Sequence, residues 1–98
     1  MRLAILMLLP LAACARPSHA ECTSVIDRYV DMRAGEAPEL LLVPEATRAA
    51  VRDAQAASKR REPVYFARIE QCQREVSRSA LACGMAAPGP NEWEACFR

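Results

Sequence analysis

Five of the 98 residues are cysteines: Cys14, Cys22, Cys72, Cys83 and Cys96. They are the side chains of this sequence best placed to do chemistry. The last four form an even set in a short chain, a pattern that reads as a disulfide framework. Zinc ligation fits poorly, because no two cysteines are spaced Cys-x-x-Cys and the one histidine, His19, lies close to the N-terminus. Other chemistry has little support. Glu92 and Glu94 stand two apart, on different faces of any helix, and so do not form a carboxylate pair. Ser77 and Ser79 have no base nearby in sequence. The expectation is a non-enzymatic chain with no catalytic residue, metal or cofactor.

Cys14 stands apart from the other four. Arg2 gives a minimal positive N-terminus, and residues 3–11 are apolar, with Pro10 interrupting the run. This is well short of the roughly 20 residues a permanent membrane-spanning helix requires, and it has the form of a secretion signal. Leu11, Ala12, Ala13 and Cys14 follow in an order that resembles the bacterial lipoprotein signal. That resemblance implies cleavage before Cys14, with the Cys14 thiol accepting the lipid. Ala15 in place of an aspartate then implies the outer membrane. A second route is an ordinary signal-peptidase site at Ser18, His19 and Ala20, which would leave Glu21 first and the chain soluble. The expected organisation is therefore a signal over residues 1–13 (alternatively 1–20), a tether over 14–21 and a disulfide-bonded helical domain over 22–98.

Helix geometry ranks the disulfide pairings. Cys72 and Cys83 are eleven residues apart, which in one unbroken helix is about 16 Å of axial rise. A disulfide needs Cα atoms within about 7 Å, so that pairing is excluded if the helix is continuous. Cys22 with Cys72 and Cys83 with Cys96 is favoured, because the chain turns back at Pro88, Gly89 and Pro90. Cys22 with Cys83 and Cys72 with Cys96 remains the alternative.

The elements that must position these cysteines are helices, and an all-α bundle of three to four helices is expected. Residues 21–34 carry Cys22, Val25, Ile26, Tyr29 and Val30 at one-sided helical spacing, with Arg28 and Asp31 opposite. Gly35 ends the helix. Residues 44–61 form a second helix whose expected inward face is Ala46, Ala49, Ala50, Ala54 and Ala57 with Val51. Residues 63–86 keep a period near 3.6 through Tyr65, Ile69, Cys72, Val76, Ala80 and Cys83, with a break at Ser77 as the main alternative. Asn91 is the expected N-cap of a last helix over 92–97, placing Trp93 and Phe97 on one face against the third helix.

The formal net charge is +1. Cleavage before Cys14 leaves 12 basic against 12 acidic side chains, and cleavage after Ala20 leaves 11 against 12. Such a balanced chain has no field to attract nucleic acid. Lys59, Arg60 and Arg61 read as a complement to a helix C-terminus. The cysteine layout resembles a group of small four-cysteine helical bacterial lipoproteins, which carry no activity to transfer. The functional expectation is a cell-envelope lipoprotein held to the membrane through lipid on Cys14, a structural or interaction module for an envelope protein. Its candidate contact surface is Leu40, Leu41, Leu42 and Val43 together with Trp93 and Phe97. The alternative is a soluble secreted or periplasmic factor, an inhibitor or effector, cut after Ala20.

Overall fold

The computed structural model describes residues 16–98 and contains five α-helices and one 3-10 turn, with no strand among the described residues. The helices are α1 (His19–Gly35), α2 (Glu45–Lys59), α3 (Pro63–Glu75), α4 (Arg78–Ala86) and α5 (Pro90–Cys96). The 3-10 turn, Pro38–Leu42, links α1 to α2. The protein is a small disulfide-stapled helical bundle. α1 is its hub and packs against every other helix. The core gathers Cys22, Val25 and Ile26 of α1 around Tyr65, Ile69, Cys72, Leu81, Ala87 and Trp93.

α1 starts earlier than its apolar stripe suggests. Ser18 is its N-cap, accepting from the Glu21 N–H at 3.1 Å, while the Glu21 carboxylate accepts from the Ser18 N–H at 2.9 Å. This reciprocal box satisfies two N–H groups that helix geometry leaves open. The tether expected over 14–21 is correspondingly shorter. Pro17 is buried, and Arg16 Nη1 donates to the Val76 carbonyl at 3.5 Å. Arg28 is not on the solvent face: its Nη2 donates to the Ala87 carbonyl at 2.6 Å, tying α1 to the α4–α5 turn.

The helix expected over 63–86 is two helices, divided at Ser77 as in the alternative reading, which takes the count to five. Val76 and Ser77 are extended, and the Ser77 side chain accepts from the Ala80 N–H to cap α4. A hydroxyl that can bond the backbone three residues on competes with helix continuation, and here it prevails. Likewise α5 begins at Pro90 with Gly89 as N-cap, so Asn91 lies inside the first turn. Proline suits a first helical position because its missing N–H is not needed there.

The largest departure is the rotation of α2. Ala46, Ala49, Ala50, Ala54 and Ala57 are exposed, Val51 is half-buried, and Ala56 is the buried alanine. Each alanine buries so little area that the stripe gains little by turning inward. The end of α2 is tied to α1 by hydrogen bonds from Arg60 to Asp27 and Asp31.

Candidate functional site

The structure joins Cys22 to Cys72 and Cys83 to Cys96, with Cα separations of 5.8 and 5.7 Å. The break at Ser77 removes the rigid rod that excluded Cys72 from Cys83, yet those two are still not partners. Two disulfides belong to a non-reducing, extracytoplasmic location. Among the described residues, no helix is long and apolar enough to cross a membrane. Cys14 and the apolar run before it lie outside the described residues.

The expected contact surface divides into two parts. Leu41 and Leu42 are 76% and 84% exposed, Val43 is half-buried, and Leu40 turns into the protein at 9%. Trp93 is not a surface residue. At 8% exposure it lies in the core, its indole N–H donating to the Val25 carbonyl at 3.0 Å and its ring 4.3 Å from that of Tyr29. Trp93 therefore packs on α1, while α5 as a whole also meets α4, the second half of the helix expected over 63–86. Phe97 follows it, half-buried, with its ring 4.3 Å from the indole. Phe97 also covers Gly84, where an added Cβ would sit 2.7 Å from the ring and 2.8 Å from Val25 Cγ2. What remains of the expected surface is the exposed corner of Leu41 and Leu42.

Two open grooves flank Tyr29. The larger, about 860 Å³, runs between α1 and the α3–α4–α5 side and is lined by Arg68, Val76, Cys83, Trp93 and Phe97 among others. The smaller, about 550 Å³, lies between α1, α2 and α3 and shares Ile26, Tyr29 and Arg68 with the first. Among the described residues, no three His, Cys, Asp or Glu side chains gather as a metal site. Ser77 is occupied as a cap, while His19, Ser79 and Glu92 are exposed and Glu94 is half-buried.

Besides local pairs such as Arg33 with Glu36 and Lys59 with Glu62, two charged clusters cross-link helices, which the sequence did not reveal. Asp27 on α1 accepts from Arg60 Nε at 3.0 Å and from the Tyr65 hydroxyl at 2.6 Å, and Arg60 Nη2 also donates to Asp31 at 2.6 Å. Arg60 thus clamps the end of α2 onto α1. Burial, together with the Asp27 hydrogen bond, pushes the Tyr65 hydroxyl up to about 12. The only sequence signal was that Asp27 sits one residue from the apolar stripe of α1, where an acid must find a partner. Asp27→Ala should cost about 2 kcal/mol, most of it from the stranded Tyr65 hydroxyl, because the ion pair itself is one-third exposed and screened. Urea denaturation of Asp27→Ala, Tyr65→Phe and the double variant would show a non-additive pair. Full additivity would mean the two side chains do not interact.

Glu21 joins the start of α1 to the start of α4. Its carboxylate accepts from Arg78 Nη2 at 2.6 Å as well as from the Ser18 N–H. Those bonds, Arg78 first, hold its pKa down to about 2 from 4.5. Between those values the unfolded chain binds more protons, so stability rises with pH across this window. The Glu21 contribution is therefore complete above about pH 4.5 and is lost as the pH falls towards 2. An acid titration of Glu21→Gln should lack that part of the decline. A titration superimposable on the parent's would remove Glu21 as its source.

The chain matches no protein-family model, no curated protein and no solved structure.

Proposed function

We propose that this protein is a cell-envelope lipoprotein, processed before Cys14 and held to the membrane by lipid on that residue, which acts as a non-enzymatic interaction module. The observation that carries this reading is the capping box of α1. Cleavage after Ala20 would remove Ser18, the first two residues of α1, and the Arg16 and Pro17 contacts. It would also leave Cys22, a disulfide residue, as the second residue of the chain. Loss of such a cap alone costs about 1 kcal/mol. Cleavage before Cys14 leaves this substructure whole and places the lipid four residues from the cap, so the domain stands close to the bilayer. Leu41 and Leu42 follow the far end of α1, a 17-residue helix about 25 Å long. Anchoring at Cys14 would then display them away from the membrane, available to a partner in the envelope.

Palmitate labelling of cells expressing the wild type and Cys14→Ser tests the anchor. The expected result is a labelled, membrane-bound wild type whose label and membrane association are both lost in the variant. A wild type without label, released with Glu21 at its N-terminus, would instead establish the soluble factor. Leu41→Asp tests the corner: it should lower partner recovery from envelope extracts and leave stability unchanged, since Leu41 contributes little to the core. Equal recovery by both chains would remove the corner as a contact surface.

A further inference from the structure

The two disulfides occupy unlike surroundings. Cys22 and Cys72 are 0% and 3% exposed and lie inside the core beside Val25 and Ile69. Cys83 is exposed and Cys96 half-buried; the open groove beside Tyr29 is lined by both and also by Cys72, so the difference between the bridges lies in exposure, with Cys22 fully enclosed behind Cys72. Cys83 and Cys96 lie 13 positions apart and close a segment made of the end of α4, the Pro88–Gly89–Pro90 turn and α5.

We infer that Cys83–Cys96 is a thiol-exchange site, a bridge that a dithiol opens in the folded protein while Cys22–Cys72 stays closed. Exchange requires a thiolate to reach a disulfide sulfur. At Cys83 the approach is from solvent; at Cys22 it requires the core to open first. A thiolate of the dithiol attacks Cys83 Sγ, the Cys83–Cys96 bond breaks, and its electron pair leaves on Cys96 Sγ, which takes a proton from water. The second thiol of the reagent, as its thiolate, then attacks the reagent sulfur of the mixed disulfide and expels Cys83 as thiolate. The dithiol is oxidised to its cyclic disulfide, and the protein bridge is reduced by two electrons to two thiols.

The opened form keeps the covalent link between α1 and α3. α5 loses its covalent link to α4 and is held by packing alone, through the Trp93 indole bond to the Val25 carbonyl, the contact with Tyr29 and Phe97 over Gly84. Because Trp93, Cys96 and Phe97 form one wall of the larger groove, the redox state of this bridge sets how firmly that wall is fixed.

The test is a dithiothreitol titration of the native full chain without denaturant, quenched with iodoacetamide and mapped by peptide mass spectrometry. Assignment by peptide keeps Cys14 out of the comparison. Cys83 and Cys96 should be alkylated at least tenfold more than Cys22 and Cys72 over a range of reductant in which the helical circular dichroism is retained. Labelling of all four together, or of Cys22 and Cys72 first, overturns the inference. In guanidinium the preference should vanish; a preference that survives unfolding would place its origin in the bonds rather than in burial, and overturns it too. Cys83→Ser/Cys96→Ser provides a second readout, with no labelling expected over the same range. Labelling of Cys22 and Cys72 in that folded variant at those concentrations would again overturn it.

Discussion

A chain carrying Cys22→Ala and Cys72→Ala should lose about 4 kcal/mol of stability, the loop-entropy expectation for cysteines 50 residues apart. That is most of the stability such a small domain has. The effect is large because this bridge joins α1, the hub, to α3 inside the core, where both cysteines are almost fully enclosed. Replacing Cys83 and Cys96 instead closes off a separation of only 13, for which the same relation gives about 3 kcal/mol. Chemical denaturation of the two double variants should therefore show both weakened, the Cys22/Cys72 variant by about 1 kcal/mol more than the Cys83/Cys96 variant. The reverse order would show that the denatured chain, or strain relieved on bond removal, outweighs the entropy of the longer loop.

Trp93→Ala is the second large effect. The indole is 8% exposed and contacts both Tyr29 and Phe97, and α5 is only seven residues long. A helix that short has no stability of its own, so its position depends on Trp93 and on the Cys96 bridge. Removing a buried tryptophan typically costs about 3–5 kcal/mol through lost burial and the cavity left behind. Trp93→Phe keeps much of the area and loses the hydrogen bond to Val25, and should cost about 1 kcal/mol. Denaturation followed by far-UV circular dichroism gives both numbers. A loss below about 1 kcal/mol for Trp93→Ala would mean that the core closes without α5. Phe97 should then be freed as well, since it lies against the indole.

The corrections share one physical pattern. Periodicity located the helices wherever the inward residues were large: Val25 and Ile26 in α1, Tyr65 and Ile69 in α3. It misplaced the face of α2, where the residues were alanines that gain little by turning inward and where the end of the helix is tied to α1 through Arg60. It ran through the α3–α4 junction because Val76 and Ala80 keep the period, whereas the Ser77 cap acts on the backbone and leaves no mark in a hydrophobic pattern. It set Trp93 and Phe97 against the helix expected over 63–86, and Trp93 was also given to the contact surface, because two aromatics four residues apart define a face without saying how much of it α1 covers.

The sequence by itself determined that this chain is helical, that its terminal four cysteines belong to a disulfide framework, and that its charge is balanced; each of these follows from local spacing or composition. The choice between two remaining pairings, the rotation of α2, the burial of Trp93 and the pairing of Asp27 with Arg60 and Tyr65 were left to the tertiary structure. Each of these depends on which helices meet, and residues 30 to 70 positions apart carry no sign of one another until the chain has folded around α1.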